Sequence, residues 1–393
     1  MNRLEKVLSS NMCAGCGICV SSPNEMVIDE KGFARPINQI FDDLSFKACP
    51  GIKVEQLNHE SYDPIWGPVL SSQVGYSTDS IIRQMSSSGG GITAILKMCL
   101  EEKLVDAVIQ IGASTCDPVA NETKIVTTKE ELILNSGSRY APSSPLSVVR
   151  GLRGDNKIYA FVGKPCDVAA LRAAVRMDKQ LGKQFPILLS FMCAGVPSER
   201  AANDIIKRFG LEHDEVTEFR YRGDGWPGLT KAVTLDGKVN TMPYNTSWGT
   251  ILNKKLQARC KVCADGTGEL ADVVCADAWH ESVNGYPSFE EKDGRSLILV
   301  RTLQGKVLLK RAIETAYLSG IEGFDLTMLK NIQPYQYHRK RTLIARMLVL
   351  KLWRVKLPQY LGLSLFKIMI TTSPLVTVKA ILGTFQRMIK RRF

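Results

Sequence analysis

Three cysteines at successive two-residue spacing, Cys13-Ala-Gly-Cys16-Gly-Ile-Cys19, constrain this chain more than any other feature. Two-residue spacers on one tight loop aim three thiols at three corners of a cubane. Sites of this kind take a fourth thiolate from elsewhere, typically a cysteine followed by proline. Cys49-Pro50 supplies that pair. Proline fixes φ and lacks an N–H, so the chain turns away after the ligand. Ala14, Gly15 and Gly17 let the backbone wrap close and aim amides at the sulfurs. The spacing predicts one four-iron, four-sulfur cluster on Cys13, Cys16, Cys19 and Cys49. Zinc favours paired knuckles on separate loops, not three cysteines in succession. Residues 26–37 (MVIDEKGFARPI) read as a strand, a turn at Lys31-Gly32 and a second strand.

Seven of the 11 cysteines remain. Cys99 falls on an apolar helix face and reads as core; Cys116 falls in a loop. Cys260-Lys-Val-Cys263 is a C-x2-C knuckle before a glycine-rich turn. Cys166 follows one strand pattern and Cys193 ends another. Strand ends of an α/β sheet are where ligands gather. Two readings stand: a second cluster on Cys166, Cys193, Cys260 and Cys263, with Cys275 as a competing ligand, or zinc at Cys260 and Cys263 with two partners. Ser86-Ser87-Ser88-Gly89-Gly90-Gly91 leads into an apolar helix pattern. Glycines admit a ligand close to the backbone, and a helix N-terminus offers free N–H groups to phosphate. There is no Walker lysine. The other reading is a flexible helix entry.

The net charge of +12 is not evenly spread. Residues 339–393 hold thirteen Lys and Arg and no Asp or Glu; the remainder is nearly neutral. That asymmetry argues against nucleic-acid binding over the whole surface and gives the tail a separate job. Its longest charge-free runs, residues 357–366 and 368–378, are shorter than the ~18 residues that span a bilayer. Interleaved basic and apolar residues suit a helix lying in a membrane interface. Equally, they suit helices packed on the body with a solvated basic side. With no apolar stretch in residues 1–10, the chain reads as cytoplasmic with reduced cysteines, able to meet the inner face of the cell membrane.

Short apolar runs at 107–113, 157–163, 186–194 and 296–302 alternate with helical periodicity at 91–103, 167–177 and 198–209. The fold class is therefore α/β (α+β): a cysteine-rich head, a central mixed-sheet domain and basic amphipathic helices. The expected divisions are 1–60 (head), 61–150 with the Ser/Gly loop, 151–335 with the second cysteine set, and 336–393 (tail). Residues 61–72 (SYDPIWGPVLSS) read as a linker with an exposed tryptophan.

These pieces together resemble the coenzyme F420 hydrogenase/dehydrogenase beta subunit family. That family includes F420-linked formate dehydrogenases and plant 7-hydroxymethyl chlorophyll a reductase. The resemblance rests on the head, which is similar to ferredoxin-type domains, and on SSSGGG (86–91), GSRY (137–140), FVGKPCDVAALR (161–172) and FMCAGVPS (191–198). It continues through RYRGDGWPG (220–228), CKVC (260–263), ADVVCADAW (271–279) and VRTLQGKVLL (300–309), in family order. It implies FAD held by Ser87, Ser88, Gly89, Gly90, Gly91, Ser138, Tyr140 and Lys164, with clusters exchanging single electrons with the flavin. The chain departs from the family at Lys164, often a small neutral residue, at Ala276-Asp277, often Gly-Asp, and at Cys275. The basic tail resembles bacterial relatives linked to surface-polysaccharide synthesis.

The expected function is an iron–sulfur flavoprotein oxidoreductase. Its electrons would pass between clusters, FAD and an external partner: a ferredoxin or other redox protein, and a small organic substrate or deazaflavin. The alternatives are a non-catalytic electron relay and a membrane-surface accessory of polysaccharide biosynthesis. No catalytic acid or base is assigned; His59, His213, His280 and His338 lie outside catalytic-looking motifs, and His280 reads as structural.

Overall fold

The computed structural model describes residues 2–280 and 287–390. At its centre is one eight-stranded mixed sheet. Its strands are β1 (Ser71–Ser77), β2 (Ala107–Ala113), β3 (Asn121–Val126), β4 (Tyr159–Gly163), β5 (Ile187–Phe191), β6 (Val273–Asp277), β7 (Ser296–Val300) and β8 (Leu318–Gly323). They lie in the order β8-β1-β7-β6-β5-β4-β2-β3. The inner four, β6, β5, β4 and β2, run parallel; the outer pairings are antiparallel.

Parallel strands covered on both faces need apolar residues at every position. Successive residues of these strands enter opposite cores. Phe161, Leu188 and Val274 pack on one side with α2 (Pro165–Met177). Ala160, Leu189 and Val273 pack on the other with α1 (Gly91–Glu101) and α3 (Leu303–Glu314). A three-stranded antiparallel sheet (Val216–Arg220, Leu229–Thr234, Val239–Pro243) and the helix Glu199–Arg208 form a third apolar cluster beside them.

The strand and helix expectations hold almost residue for residue, including the head hairpin. Met26 pairs with Pro36 and Ile28 with Ala34. Gly32 makes the turn with φ +78°. Asp29 Oδ1 accepts from the Lys31 and Phe33 amides.

Two expectations fail. Trp66 is buried, and residues 61–72 are not a loose linker. Tyr62–Asp63 pairs with Gly67–Pro68, and β1 begins at Ser71. The buried Arg301 guanidinium collects the carbonyls of Trp66, Pro68 and Thr267. A tryptophan flanked by prolines reads as surface; here a cation 235 residues further along the chain pins its backbone indoors.

Of the two readings of the tail, its first helices follow the one that packs them on the body. Its helices are α4 (Pro334–Arg341), α5 (Leu343–Leu352), α6 (Leu365–Ile370) and α7 (Pro374–Ile389). Gln336, Arg339 and Lys340 of α4 are buried, and Leu343 and Leu350 of α5 join the core that holds Leu4, Ile18 and Val168. Between α5 and α6 the strand Gln359–Leu361 pairs in parallel with Lys53–Glu55 of the head. Head, sheet and the first part of the tail share one interior. No helix among the described residues is long and apolar enough to cross a membrane.

Lys340 pairs with Glu269, both wholly inside, and Tyr62 Oη donates to the other Glu269 oxygen at 3.0 Å. Burial drives the Glu269 carboxyl up, and the Lys340 ammonium opposes it. Removing one partner of a buried pair leaves an uncompensated charge, at a cost of about 3–5 kcal/mol. Lys340→Met should lower unfolding free energy by about that amount in denaturant titration. Adding Glu269→Gln to it should restore much of the loss.

Candidate functional site

The head cysteines occupy a dry loop. Cys16, Cys19 and Cys49 are buried and Cys13 half-buried. Cys19 and Cys49 lie close enough to raise the Cys16 pKa, and Cys13 acts in the same way on Cys19 and Cys49. Burial acts first and neighbouring sulfurs add to it, taking Cys19 to about 11 and Cys49 to about 12. Amides point at the sulfurs: Gly15 N lies 3.3 Å from Cys13 Sγ, Ile18 donates to Cys16, and Gly51 and Ile52 donate to Cys49. Gly15 (φ +76°) and Gly17 (φ +87°) make this possible. A Cβ on Gly17 would sit 2.7 Å from Ser147 N, so no other residue fits. Arg150 locks the loop from outside. It donates to Ile18 O at 3.2 Å and makes two bonds to Asp42, at 2.8 and 2.9 Å. Partial burial works to raise the Asp42 carboxyl, but its bonds to Arg150 and Ser45 bring it down to about 2.

The second set also assembles. Cys166, at the start of α2, is coupled to Cys193 and Cys263; Cys193, just past β5, is coupled to Cys260 and Cys263. Burial comes first in each case and takes Cys193 to about 12. Val196 N lies 3.3 Å and Gln257 Nε2 3.5 Å from Cys260 Sγ. Cys275 is elsewhere. Only burial perturbs it, and its side chain enters the core under α1, against Gly91 and with Ile298. Strand alternation turns Cys275 away from the face that Val274 shares with the other core. Cys99 is core and Cys116 exposed, as their sequence context indicates.

Among the described residues, no three His, Cys, Asp or Glu side chains close on one point as ligands of a single ion do. A cubane carries its thiolates on separate irons, so its ligands need only surround a common space. The head sulfurs each receive N–H groups and in the inner set Cys260 does, a donor chemistry that fits such a cluster.

Arg259 stands between the two sets. It is buried, precedes Cys260 and donates through Nη2 to Pro50 O at 3.0 Å, next to Cys49. Its charge reaches Cys13 on one side and Cys263, Cys166 and Cys260 on the other. Its Nε and Nη1 are buried without a protein acceptor. On the inner side, Arg339 donates to Cys193 O at 3.1 Å and adds a second positive charge.

A cavity of about 300 Å³ opens at the C-terminal ends of β4, β5 and β6, within the size range of small-molecule sites. Ser87, Ser88, Gly90, Gly91, Ser138, Tyr140 and Lys164 all line it, and so does Cys193. Gly89 does not. A Cβ there would lie 2.6 Å from Ser296 N, so this glycine serves close packing against β7. Gly91 N donates to Ser296 Oγ at 3.2 Å, which removes one free amide from the helix entry. Lys164 is held rather than free: Nζ lies 2.6 Å from Ser143 Oγ and 2.8 Å from Asp167 Oδ2. Burial opposes its charge, but Asp167 and the Cys166 and Cys193 sulfurs outweigh this and raise its pKa.

Sequence reasoning missed one wall of this cavity. Arg222 binds Asp277 through two bonds, at 2.8 and 2.6 Å, and Trp226 Nε1 donates to the same carboxylate at 2.7 Å. The Arg222 guanidinium lies 4.4 Å from the Tyr244 ring centroid and 5.0 Å from that of Trp279. Tyr140 and Trp248 stand 4.9 Å apart beside them. The RYRGDGWPG and ADAW stretches carried the signal for Arg222, Trp226 and Trp279; nothing marked Tyr244 or Trp248. His280 meets the Trp226 ring edge-on at 5.9 Å, as a packing residue. The start of α4 contributes as well: Gln333, just before it, donates to Asp277 O, and Gln336 within it donates to Cys193 O.

Residues 73–150 match the family model described as coenzyme F420 hydrogenase/dehydrogenase, beta subunit N-term, and residues 156–322 the model of its C terminus. The coenzyme F420 hydrogenase subunit beta of Methanococcus voltae is 26% identical over 287 residues, covering 69% of this chain and 92% of that protein. The coenzyme F420-dependent sulfite reductase of Methanocaldococcus jannaschii is 24% identical over 375 residues, covering 88% of this chain and 52% of that protein. Among solved structures, a chain of the F420-reducing NiFe hydrogenase complex from Methanosarcina barkeri shares the fold. Its TM-score is 0.53 at 22% identity, over 72% of this chain and 95% of that one. The two matched stretches span more than half of the chain and contain β2 to β7, most of β1 and β8, and the inner cysteines. The chain belongs to the coenzyme F420 hydrogenase/dehydrogenase beta subunit family.

Proposed function

We propose that this chain is an iron–sulfur flavoprotein oxidoreductase with electron ports at both ends. One is the head; the other is the cavity beyond the inner cysteines. The observation that carries this reading is the position of Cys193, which belongs both to the inner cysteine set and to the cavity wall. Arg259 supports it by joining that set to the head. Iron–sulfur clusters supply one-electron steps, and a flavin converts these to two-electron chemistry when bound.

In this reading Cys13, Cys16, Cys19 and Cys49 hold the outer cluster, and Cys166, Cys193, Cys260 and Cys263 the inner one. Ser87, Ser88, Gly90, Gly91 and Ser138 bind FAD, with Tyr140 and the aromatic wall excluding water from its ring. Lys164, kept cationic by Asp167, offsets negative charge that develops beside it. The family's relatives are named for coenzyme F420, so a deazaflavin is the first substrate to try at the cavity. A ferredoxin or partner subunit meets the head. A relay with no substrate needs no cavity, and this ligand-sized space favours an enzyme.

Anaerobic purification should yield about eight irons, matching sulfide and one flavin per chain. About four irons with one zinc would remove the inner cluster, and an absent flavin would sink the enzyme reading.

Cys193→Ser should halve the iron while leaving the head cluster's EPR signal intact. Arg259→Gln removes a buried positive charge, which stabilises the reduced, more negative state of a cluster. Its loss should lower the inner midpoint potential by on the order of 50–100 mV in an EPR-monitored redox titration, with iron content unchanged. An unchanged midpoint would show that Arg259 has a packing role only.

A further inference from the structure

The outermost helix of the tail is apolar on its outer face as well as its inner one, where Val376, Ile381 and Met388 are half-buried and Met388 packs on the core. A helix on a globular protein buries its apolar stripe and exposes its polar one. In α7, Leu375, Val378, Leu382, Phe385 and Ile389 recur at spacings of three and four, so they share one face. All five are between 42% and 74% exposed. The buried residue of α7 is Thr384, whose Oγ1 bonds back to Ala380 O at 2.7 Å. The stripe continues onto α5. Trp353, at the end of that helix, meets the Phe385 ring edge-on at 5.0 Å, and Leu348 and Leu352 on the preceding turns are exposed. Apolar exposure of this extent marks an interaction surface.

The charges around it choose the occupant. Lys351, Arg354, Lys379, Arg387 and Lys390 are exposed on the same two helices and the turns that end them. No acidic residue follows Asp325 in the chain. A second copy docked face to face would bring these cations together with no carboxylate between them, the opposite of the paired charges that flank a coiled-coil seam. Spanning is excluded by length: 16 residues reach about 24 Å, against a hydrocarbon core of about 30 Å. We propose that this apolar stripe with its basic border lies on an anionic lipid bilayer, the five α7 side chains dipping below the headgroups and the cations meeting lipid phosphates. Trp353 suits the headgroup level, where its ring is half apolar and half wet. The first part of the tail holds the fold; the last part docks it. This assignment is independent of the redox reading, since none of these residues touches the cysteines or the cavity.

The full-length, iron-loaded protein is floated with phosphatidylcholine vesicles, with and without phosphatidylglycerol. Binding to the phosphatidylglycerol vesicles, weakened by added salt, is expected. Leu375→Glu with Leu382→Glu should reduce the bound fraction on the order of tenfold. Both positions are exposed, so iron content and unfolding midpoint should not change. Lys379→Gln with Lys390→Gln should weaken binding without altering the apolar stripe. Equal binding to both vesicle types overturns the anionic assignment. Binding to neither overturns the proposal, and a dimer abolished by the glutamate pair would then identify a second copy as the occupant.

Discussion

Arg222, Arg259, Arg301, Arg339 and Lys340 are all buried, and each binds oxygen atoms that the chain's order alone would leave far apart. A buried cation is costly unless every direction around it is answered. Arg301 answers with carbonyls from the segment before β1 and the turn before β6. Lys340 reaches Ile65 O and Glu269. Arg222 grips Asp277 at the end of β6. The requirement to satisfy these charges fixes how head, sheet and tail close on one another.

Arg259 is the least satisfied of them. Its Nε and Nη1 are both buried without a protein acceptor, against Nε alone in Arg301. It lies where two cysteine sets approach from opposite sides. A positive charge left partly unanswered by protein suits a position between anionic clusters. Arg339 and Lys164, both answered by protein oxygens, stand over the inner set from the tail and from the β4–α2 turn. The inner cysteines are bordered by cations drawn from three separate parts of the sequence.

The cavity follows from sheet topology. Parallel strands β4, β5 and β6 all end at one edge, so the loops after them converge there. Lys164, Cys193 and Asp277 come together because each lies just past, or at, the end of one of these strands. The serine–glycine loop reaches the same edge from α1. Its glycines divide between two tasks: Gly89 admits β7, and Gly90 and Gly91 border the cavity.

Local physics was legible in the sequence. Apolar runs located β2, β4, β5 and β7, three-residue and four-residue periodicity located α1 and α2, and Gly32 located the head turn. The triplet and Cys49-Pro50 marked the four head cysteines, the triplet because loop spacing is a local property and Cys49 because the fold brings it beside them. Contacts between distant segments were not legible. The pairing of Gln359–Leu361 with Lys53–Glu55, the burial of Trp66, the separation of Cys275 from the other thiols and the entry of α4 into the site all depend on tertiary packing. The tail shows the division most sharply. Its sequence determined that it is basic, amphipathic and too short to span a bilayer. Only the folded structure decided which part is interior, because buried cations such as Lys340 and Arg339 need oxygen partners that the rest of the chain must bring to them.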